Sequence, residues 1–344
     1  MTVSVYNDKN ELVEIVLDKE LARKIALEKA LDVSRFCIIN GVATRYSDRY
    51  SEGDVAIPDG VTSIGANAFS DCHLTSIFIS KTVRSIASNA FSNCTKLESV
   101  DFEQGSVLRT IDEKAFYGCT SLSRIELPFS LKNIGVDAFC GCSELSHVDF
   151  PFDVTNVYGG AFSAFVDKGK TIHSVGLSTV KFPESLTKLG RSAFKGSQYL
   201  KEVCFEKGCK LEVIEKETFA PISTVRGSLS EIEKIEITSG LRYITIPAAV
   251  KIIEEKAFYD CKDLGVVEFE EGSQLTTIGK EAFFRCWLIK ELKLPPSVET
   301  ISEDAFTHWE PNQTIHITRT LYKKYKDFWK NLKVRVEFYR PTKG

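Results

Sequence analysis

Between residues 57 and 308 the apolar positions fall into two recurring groups. In "LSRIEL" Leu122 closes one turn, after which Ile125 and Leu127 face one side and Arg124 and Glu126 the other. That is the period-two alternation of a short strand with one buried face. The same slots hold Ile77/Ile79, Val100/Phe102, Val148/Phe150, Val203/Phe205, Val267/Phe269 and Leu292/Leu294. A second apolar pair precedes each of several Ala-Phe dipeptides: Val61/Ile64, Val83/Ile86, Leu108/Ile111, Leu131/Ile134, Leu275/Ile278 and Val298/Ile301. It predicts a segment that closes each turn of chain from the opposite side.

The dipeptides set the register. Phe stands at 69, 91, 116, 139, 162, 194, 219, 258, 283 and 306, at intervals of 22, 25, 23, 23, 32, 25, 39, 25 and 23 residues. A short, nearly fixed period means stacked supersecondary units rather than one closed core. The expected fold is an α/β repeat, a solenoid of about ten coils whose strands form a parallel sheet. Ala is small where neighbouring coils approach, and Phe fills the interior. Intervals of 25 contain "EQGSVL", "EKGCKL" or "EEGSQL", Gly-bearing turns where shorter coils have "PFSL" or "PPSV". The two longest intervals carry insertions near 163–175 and 220–247, which in a solenoid emerge on one face and often serve binding.

The start of the chain leaves the pattern. "VSVYNDKNELVEIVL" reads as a hairpin, and "KELARKIALEKAL" as a helix with Leu21, Ile25, Ala26 and Leu27 on its apolar stripe. Residues 1–50 are expected to cap the N-terminal end, 51–310 to form the repeats and 311–344 to cap the C-terminal end.

Composition narrows the field. Hydrophobic residues make up 43% and charged residues 26%, the balance of a packed domain rather than a disordered one. The net charge of −3 argues against wholesale nucleic-acid binding. Residues 311–344 alone hold nine Lys/Arg against Asp327 and Glu337, a locally basic tail read as a solvated helix face. Residues 1–20 lack a basic segment followed by an apolar one, and no apolar run approaches a membrane span.

Six of the ten cysteines, Cys72, Cys94, Cys119, Cys142, Cys261 and Cys286, stand three residues after the Phe. Coil stacking alone places them in a ladder, so they are expected to be small buried core residues. "CGCSELSH" offers Cys140, Cys142 and His147, a poor zinc set without the usual spacing or a second pair. Ten free thiols suit a reducing compartment or an anaerobe's surface. No metal or cofactor is expected.

The phrase "IPDGVTSIGANAFSDCHLTSIFIS" at 57–80, with echoes ending "SLSRIELP" and "LIKELKLP", resembles the BspA-like leucine-rich repeats of bacterial surfaces and parasitic protists. The resemblance covers about 57–308. The segment "TIHITRTLYKKYKDFWKNLKVRVEF" looks like that family's C-terminal cap: a strand, an amphipathic helix carrying Tyr325, Phe328 and Trp329, and a last strand. The resemblance implies a curved right-handed solenoid with its sheet on the concave face, adhesion or protein recognition, and no enzyme chemistry. It also implies a cell-surface or secreted location, although no export signal is visible.

Outward strand positions stack as the inward ones do. The middle column runs Phe78, Asp101, Glu126, Asp149, Lys181, Cys204, Glu236, Glu268 and Lys293, mostly acidic, with Glu103, Glu206 and Glu270 nearby. A second column, beside the other apolar pair, starts Thr62, Arg84, Arg109, Lys132 and is expected to continue through Lys188 and Lys251. The reading is non-catalytic recognition of a protein (or glycan) ligand, host or extracellular-matrix protein among the candidates. The ligand-binding residues are Phe78, Asp101, Glu126, Asp149, Glu236 and Glu268, with the 220–247 insertion as a secondary contact. An intracellular scaffold or secreted effector using the same surface is the alternative. An enzyme with chemistry in the insertions is a remote one, since among five His only His147 and His173 offer bases near Ser or Cys and no nucleotide, hydrolase or metalloprotease motif appears.

Overall fold

Each coil buries two apolar groups and one Phe, and stacking joins these into one continuous core running from Ala43 to Trp329. The structure, a computed structural model, describes residues 2–6, 12–16, 35–167, 171–226, 233–237 and 239–341, with backbone alone at 2–16 and 223–237. The chain winds as a β-solenoid of about 12 turns with parallel sheets. Thr2–Tyr6 and Leu12–Val16 pair antiparallel. The helix expected at 19–31 lies outside the described residues.

The longest sheet comes from the closing pairs. Ten two-residue strands, from Ser63–Ile64 to Thr300–Ile301, run in one parallel ladder. Val42–Tyr46 and its antiparallel partner Phe36–Ile39 extend it to twelve strands at the N-terminal edge. The longer strands form three shorter sheets instead: Asp54–Ala56 to Arg124–Ile125, Thr179–Phe182 to Val266–Phe269, and Glu291–Lys293 to Arg335–Phe338. Val148 keeps its inward, buried slot between the first two without regular strand pairing.

The A-F corner is a stacked turn held by backbone and ring together. Phe69 N–H donates to Ala90 C=O at 2.7 Å, Phe91 to Ala115 at 2.8 Å and Phe116 to Ala138 at 2.8 Å. Phenylalanine rings from Phe69 to Phe306 lie nearly parallel at 4.9–5.9 Å. Tyr46 takes the first rung, 5.1 Å from Phe69, so the ladder begins one coil before the first Ala-Phe. The corner also needs left-handed backbone two residues before the Phe in most coils: Asn67, Asn89, Lys114, Asp137, Gly160, Ser192, Glu217, Lys256 and Glu281 all have φ between 52° and 66°. Asn, Asp and Gly tolerate this region, whereas Lys, Glu and Ser do so at a cost.

Both insertions leave the coil just after the corner. Phe165–Val166 pairs antiparallel with Ile172–His173, and Ile222–Arg226 with Glu233–Ile237. The chain re-enters each time through glycine, since a Cβ on Gly176 would stand 2.6 Å from the Ser143 carbonyl oxygen and one on Gly240 2.1 Å from that of Gln198.

At the C-terminal end the single helix expected from sequence is two six-residue helices, Arg319–Lys324 and Lys326–Asn331, broken at Tyr325. The break lets the Tyr325 hydroxyl reach the last closing strand, accepting from Ile301 N–H at 3.2 Å. Trp329 is buried, its ring 6.5 Å from that of Phe306. Thr314–Ile317 and Arg335–Phe338 add two parallel strands to Glu291–Lys293.

Candidate interaction face

The cysteine ladder lies at the corner and does more than fill space. Cys94 Sγ donates to the Phe69 carbonyl at 2.9 Å, Cys119 to Phe91 at 3.0 Å, Cys142 to Phe116 at 3.2 Å, Cys261 to Phe219 at 3.3 Å and Cys286 to Phe258 at 3.1 Å. In two of the four coils without cysteine another donor takes the slot, Ser197 Oγ bonding the Phe162 carbonyl at 3.2 Å and Trp309 Nε1 that of Phe283 at 2.7 Å, while the other two hold Phe165 and Ile222. Ser197 is therefore the ladder residue of its coil. Burial pushes the thiols of Cys72 and Cys261 up to about 12 and those of Cys142 and Cys286 well above their ordinary value. Neutral thiols of this kind are neither nucleophiles nor metal ligands near pH 7. Cys142 is buried while His147 is exposed and pairs with Asp149, so the "CGCSELSH" set is not assembled. Among the described residues no group of three or more His, Cys, Asp or Glu side chains is placed to hold a metal ion. His173 stacks on Phe165 and bonds Asp167 inside the first hairpin.

The middle outward column is real over most of its length. Phe78 lies opposite Asp101, Lys181 opposite Cys204, Thr245 opposite Glu268 and Lys293 opposite His316. Glu236 is not part of it. Its strand pairs antiparallel with Ile222–Arg226 in the second hairpin, and its side chain lies outside the described residues. The coil resumes only at Tyr243–Ile246, so Thr245 takes the position. The hairpin pattern "EKIEI" alternates just as a coil strand does, and the alternation cannot distinguish them.

Nor is the column an unscreened acidic stripe. Arg124 holds Asp101 with Nη2 at 2.9 and 3.0 Å from the two carboxylate oxygens, and its Nη1 stands 3.8 Å from Glu126. Glu103, Glu206 and Glu270 fold back to accept the backbone N–H of Lys81, Glu184 and Ala248 in the preceding coil, at 2.9, 3.4 and 2.9 Å. The Gly-bearing turn aims each carboxylate there, making it a turn anchor. For Glu103 burial opposes ionisation, but the Lys81 ammonium and amide outweigh it and hold the carboxyl below its ordinary value.

Two troughs open along this face. One, of about 950 Å³, is walled by the Glu103–Ser106 turn and the Pro151–Phe152 turn and contains Arg124, Glu126, Phe129, His147 and Asp149. Phe129 and Phe152 are 75% and 64% exposed, unusual for Phe, with ring centroids 6.0 Å apart. The second, of about 680 Å³, lies beside the C-terminal cap and contains Thr245, Glu268, Lys293 and Tyr339. Glu268 accepts from the Tyr243 hydroxyl at 2.8 Å. The expected binding residues thus divide: Glu126 and Asp149 line the first trough with Arg124-bound Asp101 beside them, Glu268 lines the second, Phe78 precedes the first along the column, and Glu236 stands on a hairpin strand. In the sequence Phe129 counts only as part of the "PFSL" turn, and Phe152 carries no reading of its own. The available signal was that the slot after Pro is Asp59 and Glu184 in other coils.

The profile of the BspA type leucine rich repeat region matches in six copies over residues 46–166, 173–239 and 236–336. The chain belongs to the BspA-type leucine-rich repeat family. A leucine-rich repeat protein from Eubacterium ventriosum is similar in structure at a TM-score of 0.50, with 19% identity over 75% of this chain and 64% of that one. The pneumococcal vaccine antigen PcpA aligns at TM-score 0.45 with 17% identity, over 87% of this chain and 92% of that one. The Treponema pallidum leucine-rich repeat protein aligns at 0.39 with 20% identity, over 90% and 99%. No curated protein sequence matches. Among the described residues no helix is long and apolar enough to cross a membrane.

Proposed function

We propose that this BspA-type solenoid is a non-catalytic recognition module that seats a protein ligand on its longer-strand face, centred on the first trough. Phe129 and Phe152 are the anchors, and Arg124, Glu126, His147 and Asp149 set the charge pattern around them. The single observation that carries the reading is the pair of solvent-facing phenylalanines beside that trough. Exposed apolar patches rimmed by polar groups mark interaction sites, and aromatic anchors supply most of the binding energy in protein interfaces. About 12 turns at strand spacing give a face roughly 50 Å long, enough for a standard interface. An adhesion-type role at a cell surface is the setting we favour.

The test is comparative capture. Immobilised wild-type protein is exposed to lysates of the source cells and of candidate host cells, beside Phe129→Ser/Phe152→Ser and Asp101→Lys/Glu126→Lys/Asp149→Lys variants. The aromatic variant is expected to lose the captured protein, and the charge variant to lose it or to reverse its salt dependence, both with unchanged melting. Capture of the same protein in equal yield by the aromatic variant would falsify the assignment. Surface labelling of intact source cells decides the location.

A further inference from the structure

We propose that the twelve-stranded sheet carries a second, independent binding site: a cation ladder of Arg84, Arg109 and Lys132 that takes a linear acidic glycan.

The three residues occupy the same position in consecutive coils. Arg109 N–H donates to Arg84 C=O at 2.8 Å and Lys132 N–H to Arg109 C=O at 3.0 Å, so the backbone fixes their spacing at about one strand separation, 4.8 Å. All three are exposed, and among the described residues none makes an ion pair. Several other cations on the solenoid are neutralised instead. Lys81 pairs with Glu103, Arg124 with Asp101 and Lys195 with Glu217. Further along the same column Lys251 is neutralised by Glu212 at 2.6 Å. Lys188, expected in this column, pairs in register with Asn156 and lies one position over, with Thr187 in its place.

Beside the cations runs a column of uncharged hydrogen-bonding groups, Ser63, Ser85, Thr110, Asn133 and Asn156. Ser63 Oγ meets Ser85 Oγ at 2.8 Å and Asn156 Nδ2 donates to Asn133 Oδ1 at 2.7 Å, so these side chains are already ordered. Regular like charges held this close repel one another, and a polyanion relieves the repulsion. The chemistry selects among polyanions. The two columns contain no aromatic residue on which bases could stack, as single-stranded nucleic acid requires. They contain no apolar anchor of the kind a protein interface needs. Cations at even spacing beside hydroxyls and amides match a chain that repeats one negative charge per sugar among hydroxyl groups.

The probes are a fluorescein-labelled oligogalacturonate, with one carboxylate per sugar, and a labelled heparin oligosaccharide, titrated into the full chain at several salt concentrations. Wild type should bind at least one of them at about 0.1 M salt, where surface charges still act over about 10 Å. Arg84→Ser/Arg109→Ser/Lys132→Ser should weaken that binding more than tenfold. Its slope of log affinity against log salt should fall by about 2, from roughly 0.7 per lost contact on a single-stranded polyanion. Thr62→Arg, which lengthens the ladder by one rung, should tighten binding severalfold and keeps the idea testable if the triple variant fails to fold. Lys323→Ser/Lys326→Ser/Lys330→Ser, in the basic tail, should bind within twofold of wild type. No binding of either glycan by wild type overturns the proposal, as does full binding by the ladder variant or loss in the tail variant. Equal, ladder-dependent binding of an oligothymidylate would overturn the glycan assignment.

Discussion

At the A-F corner one coil is nearly a copy of the next: ring on ring from Tyr46 to Phe306, and a donor to the Phe carbonyl in coil after coil. On the longer-strand face the same coils present Phe78, Asp101, Glu126, Asp149, Lys181, Cys204, Thr245, Glu268 and Lys293, with no type repeated for long. The buried slots of the corner have little freedom because each is at once the floor of one coil and the ceiling of another. The outward positions meet water on one side, so substitution there leaves the stack intact. Cohesion and recognition are thereby separated within every coil.

The largest effect should come from removing a rung. Phe139→Ala is expected to cost about 3–5 kcal/mol, because its ring lies between Phe116 and Phe162 at 5.3 Å on each side. Phe129→Ser, only ten residues away, should stay within about 0.5 kcal/mol. Urea unfolding of both variants compares the regions directly, and equal losses would erase the distinction. Next is the donor slot: Cys119→Ala should cost about 1–2 kcal/mol, and Cys119→Ser less, since Ser197 already performs this role. If Ser is the worse of the two, the thiol acts by packing alone.

A smaller change of opposite sign is expected from relieving backbone strain. Ser192 holds φ 59°, so Ser192→Gly should raise stability by about 0.5–1 kcal/mol. A loss would mean that the corner tolerates left-handed serine without strain. Smallest is the ion pair of Lys195 with Glu217 at 2.5 Å. Burial opposes ionisation of Glu217, yet the Lys195 hydrogen bond and charge hold its carboxyl below the ordinary 4.5. A depressed carboxyl contributes stability above its unfolded value, and that contribution disappears as pH falls through the lower folded value. The stability difference between wild type and Lys195→Met should therefore be present at pH 6–7 and shrink below about pH 4.5. A difference that persists at pH 3 would assign the effect to packing.

What could be read from the chain alone was whatever repeats. The 22-to-25-residue interval, the inward apolar slots and the cysteine ladder are each written many times over, so the stacked coil, its interior and the family resemblance followed from residue order. Three kinds of fact required the tertiary structure. Glu236 alternates like a coil strand, and only the hairpin's pairing removes it from the column. Arg124 and Glu103 look like free charges in sequence, and only the neighbouring coil shows that one holds Asp101 and the other a backbone amide. Phe129 and Phe152 stand in turns where burial depends on what stacks above, and their mutual contact at 6.0 Å leaves both rings mostly exposed. Periodicity specifies what a residue shares with its counterparts in other coils; contacts between coils are set by three-dimensional register, which one-dimensional order does not contain.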